Sequence, residues 1–476
     1  MRMTLAQVCA ALGQSVPSSG QPDLPLTGAD MDSRTVGRGD IFFCIKGERV
    51  DGHDFAARAV EAGAGLVVAE RPLPGVTHAP VVVVEDSVMA LGRVAHAWRE
   101  RFTGTLVAVT GSAGKTTVKE MLAQVLSQHA PTAKNALNRN NQIGMPLSLL
   151  KATGEERFWV MEAGISHAHD MDELGAILCP DVALVLNAGG AHAAGLGERG
   201  VAWHKARLLH HLRPDGLGFA CADYTDLRRE ALAAYPQVRL FSTQDTTCPL
   251  YATACGSDAA GKGLYALRLP ATGEGARELL VTTPFRGGYG AENALAVAAV
   301  AAALGLSDAE ITAGFATATL PEQRFEQVRC GDWLVINDSY NANPLSMRRM
   351  LEAARELAKD RPLVAVLGAM GELGDTAERE HGALGERLAA AGVCAVYWRG
   401  DFAAVVEQGL RAAGGKAPFV TCKDAADFAT AWRALNVPGG VVLCKGSRSN
   451  ALEEFVAVMC EERKAGAARK EPAHVL

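Results

Sequence analysis

The chain has 476 residues, 49% of them hydrophobic, and carries 53 acidic and 47 basic side chains for a net charge of −6. That length exceeds one ordinary core and predicts several domains, while the charge balance excludes a general nucleic-acid binder and still allows a local basic pocket. No apolar run approaches the ~20 residues of a membrane span, and Met1-Arg2-Met3-Thr4 leads into no apolar leader segment.

In chain order, residues 1–102 form a first block with strand-like runs at Ile41–Ile45, Leu66–Ala69 and Val81–Val84, separated by helical patterns and by Pro/Gly-rich loops near 17–25 and 71–80. Leu106–Val109 opens a second block, 103–320. Strands are expected there at Phe158–Met161 and Val182–Leu186, with a helix at Ala202–Leu212. A turn-rich stretch over about 246–290 interrupts it, and an alanine-rich helix, Asn293–Leu304, closes it. The third block, 321–462, alternates helices with strands at Trp333–Asn337, Leu363–Leu367, Val393–Tyr397 and Val441–Cys444, and a charged, fraying tail follows at 463–476. The fold class is therefore α/β: a small amino-terminal unit, a central mainly parallel sheet flanked by helices, and a Rossmann-like doubly wound unit. The eleven cysteines contain no C-x-x-C pair and read as buried thiols of a reducing cytoplasm, not a disulfide framework or zinc site.

The stretch 107-VAVTGSAGKTTVKEML-122 carries the first chemistry. A strand, a tight glycine turn and a helix start would aim the backbone N–H groups of Gly111–Thr116 and the positive helix end at phosphate oxygens. The usual P-loop spelling places a Gly where Val109 stands. A plain strand-to-helix turn is the alternative, and Lys115-Thr116-Thr117 after Gly114 favours phosphate.

The shortened form T-G-S-A-G-K-T-T, from Thr110, Gly111, Ser112 and Ala113 through Gly114, Lys115, Thr116 and Thr117, resembles the ATP loop of the Mur ligases and their folylpolyglutamate synthetase relatives. Other stretches agree in order: Asp32-Ser33-Arg34, Lys46-Gly47, Asp51-Gly52-His53-Asp54-Phe55, Asn138–Leu147, Glu162, Asn187 to His192, Lys205, Asp338–Pro344, Leu367–Gly374 with His381, and Lys445–Arg448. The Y-N-A-N-P spelling resembles the family branch that adds D-alanyl-D-alanine to UDP-N-acetylmuramoyl-tripeptide; the D-N-P-R spelling of the branch adding a diamino acid is missing.

The resemblance implies an ATP-dependent amide ligase of peptidoglycan synthesis, cytoplasmic and monomeric, using ATP, two Mg²⁺ ions and CO₂ as a carbamate on Lys205. Ser33, Arg34, Lys46, Gly47, Asp51 and His53 would hold the UDP end of the substrate, with Asn140 and Asn141 nearby. The loop, Asn293, Arg324 and Asp338 would hold ATP, with Arg324 reaching the γ-phosphate. Thr116, Glu162, His192 and carbamylated Lys205 would bind metal. Lys115, Lys205, His192 and Arg324 would serve the chemistry, and Asn341, Asn343, Lys445 and Arg448 the peptide and dipeptide. Read without the resemblance, Lys205 is a solvated helix lysine, Asn343-Pro344 a turn before a helix, and Lys445 and Arg448 surface charges. His167, His169, His204, His210 and His211 crowd one region, but their spacing is not of a zinc type. Arg207, Tyr289 and Ala369 depart from the family pattern; Tyr289 stands where a His is usual, which touches the adenine side. A diamino-acid ligase and a non-catalytic nucleotide-binding regulator are the rival readings.

Overall fold

The structure, a computed structural model, describes residues 1–136, 138–189, 196–258, 262–271 and 275–468. A nine-stranded sheet forms its centre, and seven neighbouring strands of it run parallel. Thr105–Thr110 lies among them, between Val182–Val185 and Phe158–Glu162. The residues alternate between two buried faces. Val107, Val109, Val160 and Leu184 meet the helices Lys115–Leu126 and Gly287–Ala303 on one side. Leu106, Ala108, Trp159 and Val185 meet Ser87–Arg101 on the other. With helices on both faces, these strands need apolar side chains at every position, which is why they read as continuous runs.

The second face has a further consequence. Met3, Leu5 and Val8 of the amino-terminal block share one apolar core with it. Arg99, fully buried, donates to Asp181 at 2.7 Å and to the Leu178 carbonyl at 2.8 Å. Asp86 starts the Ser87–Arg101 helix by accepting from the N–H groups of Val88 and Met89, a cap worth about 1 kcal/mol. A four-stranded parallel sheet over Gly28–Val83 completes the amino-terminal part. The carboxy-terminal sheet has six strands, parallel except for the edge strand Glu326–Cys330.

Three expectations change. The stretch at 246–290 contains an antiparallel meander, Leu250–Ser257, Gly263–Pro270 and Ala276–Thr283, that extends the central sheet. Its signal was the alternation of Tyr265, Leu267 and Leu269, all buried. The helix at Ala202–Leu212 is α-helical only over Gly200–Ala206 and tightens to 3₁₀ over Arg207–His211. Cys330 and Cys460 form a disulfide with Cα atoms 4.8 Å apart, because the helix Glu453–Ala468 packs beside the edge strand. A separation of 130 residues hides that pair from any local spacing rule, and the other nine cysteines are free. The same helix carries residues 463–468 of the expected tail, and 469–476 lie outside the described residues.

Candidate active site

The loop after Thr105–Thr110 sits at the carboxyl ends of parallel strands, where open α/β sheets place their ligands. Gly114 has φ +82°, and a Cβ there would lie 2.9 Å from Asn293 Oδ1 and 3.0 Å from Tyr289 Oη. Only glycine therefore both turns and fits, which brings Asn293 and Tyr289 against the loop. The helix starts at Lys115, directly behind this turn.

Polar groups converge in front of it. Lys115 Nζ donates to the Gly111 carbonyl at 2.9 Å, and Thr116 Oγ1 donates to Glu162 Oε2 at 2.8 Å. Asn140 Nδ2 donates to the other Glu162 oxygen at 2.6 Å. Burial pushes the Lys115 ammonium down, with Glu162 opposing and Arg324 adding to the shift. Lys205 is fully buried, and its Nζ has no hydrogen-bond partner among the described residues. Burial first, then Lys115, drives its pKa well down, while Glu162 opposes. A solvated helix lysine is thus excluded. His192 lies outside the described residues.

The carboxy-terminal unit closes the cleft. Asn343 caps the helix Pro344–Ala358, in a capping box with Ser346, and its Nδ2 also donates to the Ser112 carbonyl at 3.0 Å. It is both a helix start and a contact across the cleft. Arg324 Nη2 reaches Thr116 Oγ1 at 3.3 Å, and its guanidinium lies 4.2 Å from the Tyr340 ring centre. The cleft measures about 310 Å³ and is lined by residues of the loop, Asn140, Glu162, Arg324, Asp338 and Lys445 among others. A second cleft of about 360 Å³ shares Asn341 and Asn343 with it and reaches Arg448.

Several expected ligand residues are occupied internally. Lys445, 2% exposed, donates to Asp338 at 2.5 Å and to the Asn341 carbonyl at 2.8 Å, and Asp338 also accepts from the Phe325 N–H. This pair braces the Asn341 loop. Arg448, exposed, donates to Gln323 at 2.9 Å. In the amino-terminal unit His53 is buried, with Nδ1 2.6 Å from Asp51 and Nε2 accepting from the Glu70 N–H. Arg34 is paired with Asp32 and exposed. Ser33 is buried, and Lys46 pairs in a bridge with Asp51 beside Gly47, whose N–H donates to the Val50 carbonyl. None of these six residues lines the cleft at the phosphate loop. Asn141 does, and its Oδ1 accepts from the Gly144 N–H.

The histidine cluster has structural partners: His204 spans the Ala168 and Leu196 carbonyls, and His211 and Arg207 share Asp172. Among the described residues the group with closely spaced metal-ligand atoms is elsewhere, at His96, Glu100 and Cys179. At the third departure, Ala369, the carbonyl accepts from the Ser447 N–H and from Asn450, so the backbone there seats the K-G-S-R element. Sequence reasoning gave Asn187 no role beyond opening the Asn187 to His192 stretch, and it missed Glu292 and Arg349. Asn187 Oδ1 accepts from the Ala113 N–H at 2.8 Å, fixing the loop from below.

Comparison with known proteins agrees with this geometry. Residues 25–99 match the Mur ligase family, catalytic domain; 109–301 match the Mur ligase middle domain; 323–448 match the Mur ligase, glutamate ligase domain. The UDP-N-acetylmuramoyl-tripeptide–D-alanyl-D-alanine ligase of Escherichia coli K12 is 33% identical over 96% of this chain and 98% of its own. That of Bacillus subtilis 168 is 30% identical over 91% and 93%. A crystal structure of MurF from Acinetobacter baumannii superimposes with TM-score 0.86 at 31% identity, covering 97% of this chain and 99% of the other. MurF from Thermotoga maritima in complex with ADP gives TM-score 0.80 at 28% identity, covering 92% and 98%.

Proposed function

The chain belongs to the Mur ligase family, and we propose that it joins D-alanyl-D-alanine to UDP-N-acetylmuramoyl-tripeptide, consuming ATP in peptidoglycan precursor synthesis. The observation that carries this reading is the closure of the phosphate loop by the Y-N-A-N-P segment, with Asn343 on Ser112 and Arg324 on Thr116.

A carboxylate acylates poorly. Transfer of the γ-phosphoryl group of ATP onto the tripeptide carboxylate makes an acyl phosphate and ADP. The dipeptide amine then attacks the acyl carbon, and phosphate leaves from the tetrahedral intermediate. Such transfers depend on positioning and on neutralising charge. The N–H groups of Ser112 and Ala113 are spent on Asn187, so those of Gly114, Lys115 and Thr116 at the helix start are left to cradle the phosphates, and Lys115 and Arg324 face the developing charge from opposite domains. Asn140 and Thr116 orient Glu162.

The donor set fits Mg²⁺: a hydroxyl and a carboxylate meet beside the phosphate cradle, and hard cations take oxygen ligands. Thr116 and Glu162 would hold one ion, with His192 and carbamylated Lys205 at a second; the ions would offset phosphate charge. The orphaned, depressed Lys205 amine fits the carbamate, since a neutral amine is the form that takes up CO₂. Asn293 lies on the adenine side. Asp338 and Lys445 act by holding the Asn341 loop that faces the dipeptide, and Arg448 offers its charge at the second cleft. The 1–102 block takes the UDP end through Ser33, Arg34, Lys46 and Gly47, around the scaffold built by Asp51 and His53; 103–320 takes ATP and 321–462 the dipeptide. No described helix is long and apolar enough to cross a membrane, and we place the enzyme in the cytoplasm as a monomer.

The test is phosphate release with ATP, Mg²⁺ and UDP-N-acetylmuramoyl-tripeptide. Release that requires D-alanyl-D-alanine, with a pentapeptide product by mass, supports the reading. Turnover only with the dipeptide precursor and a diamino acid would move the enzyme one step earlier.

A further inference from the structure

Glu292 and Arg349 lie on helices of different sheets, Gly287–Ala303 and Pro344–Ala358, yet pair at 2.5 Å with side chains 4% and 7% exposed. Tyr224 donates to the same Glu292 oxygen at 3.0 Å and accepts from Arg349. Asn187 Nδ2 donates to the other oxygen at 2.9 Å. All partners of this carboxyl group are donors, the pattern an ionised carboxylate satisfies, while burial pushes its pKa up to about 8 against the Asn187 hydrogen bond. The Arg349 guanidinium also lies 4.9 Å from the Tyr289 ring centre, next to Gly114.

These contacts close a circuit. Ser112 and Ala113 of the phosphate loop bond to Asn187, Asn187 to Glu292, and Glu292 to Arg349. Arg349 stands on the helix capped by Asn343, and Asn343 returns to the Ser112 carbonyl. The loop and the carboxy-terminal unit thus touch directly, at Asn343–Ser112 and Arg324–Thr116, and again through a buried ion pair. A buried pair costs desolvation and rarely adds stability over apolar residues, so its retention at a domain junction suits specificity of arrangement.

We propose that Glu292 and Arg349 are positioning residues for the ligase reaction, an inter-domain latch that registers the carboxy-terminal unit against the phosphate loop. The proposal rests on the ligase reading for its kinetic arm only. Neither residue needs to touch the reacting atoms. Loss of the latch lets the unit swing away, so closure and turnover fall while nucleotide binding to the loop persists.

The experiment compares the parent with Arg349→Met, Arg349→Lys and the double variant Glu292→Gln/Arg349→Met, which leaves no unpaired buried charge if the single variant folds poorly. Small-angle scattering with a non-hydrolysable ATP analogue and UDP-N-acetylmuramoyl-tripeptide reads closure, and ADP titration reads the loop. The double variant should stay at the larger radius of gyration and lose about ten- to a hundredfold in kcat, and the ADP titration separates out whatever part of that loss comes from Arg349 lining the nucleotide cleft. Arg349→Lys should recover part of both losses. A folded double variant that compacts as the parent does overturns the latch, whatever its turnover. A parent inactive with dipeptide instead counts against the ligase reading, and the scattering comparison still decides the latch.

Discussion

The amino-terminal stretch 32–53 and the phosphate cleft both carry conspicuous polar motifs, but they use them in opposite ways. In the first, Arg34 closes onto Asp32 through three hydrogen bonds and His53 spends both ring nitrogens on Asp51 and the Glu70 backbone. In the second, among the described residues, the Lys205 amine is buried without a partner, and Lys115 bonds to the carbonyl of its own loop. A motif residue with all its partners inside the chain builds a site; one left buried and unsatisfied awaits a ligand.

The contrast breaks most readily at Lys115. Lys115→Ala should lower dipeptide-dependent phosphate release by about a thousandfold, and a variant that still turns over would remove the loop from the chemistry. Next comes Lys205→Gln, expected to cost about a hundredfold in kcat. In the parent, ¹³C-bicarbonate should give a carbamate carbon resonance that the variant lacks; a parent without that signal would leave the buried amine unexplained. His53→Ala tests the other side: it should lower Tm by roughly 2–4 °C, with kcat at saturating substrate within about twofold. A large kcat loss at unchanged Tm would make His53 a ligand-contacting residue after all.

The smallest effect concerns pH. The Arg34 donors hold the Asp32 carboxyl down to about 2. A depressed folded pKa contributes stability that is whole above the unfolded value of ~3.9 and is lost as pH falls toward the folded value. Arg34→Ala keeps the backbone N–H donor of residue 34, so it should return the Asp32 titration, followed by NMR, only part of the way toward ~3.9 and weaken that acid dependence; an unchanged midpoint would mean the side-chain pairing is absent in solution.

Strands buried on both faces were legible because continuous apolar runs leave few other readings; Leu66–Ala69 and Trp333–Asn337 lie where the sequence places them. The meander was not, because its glycines and polar outer residues imitate turns, and only the alternation through Tyr265 marks it. At the site, Lys115 and Thr116 came from a compact motif and Glu162 from a strand end 46 residues past Thr116, and the three line one cleft. Asp338 and Lys445 were legible as important but not as partners, since 107 residues separate them. Glu292 and Arg349 had no signal: one carboxylate on an alanine-rich helix and one of three arginines on a charged helix look like surface charges until the helices meet.

The contact between Asn343 and Ser112 has a pharmacological side. It forms at the rim shared by the two clefts, and the second cleft opens beside Tyr340, Asn341 and Arg448. A compound seated there would act as a wedge that keeps the Asn343 helix start off the phosphate loop. It would occupy no part of the nucleotide's own cradle, so rising ATP would oppose it only as far as ATP itself favours closure.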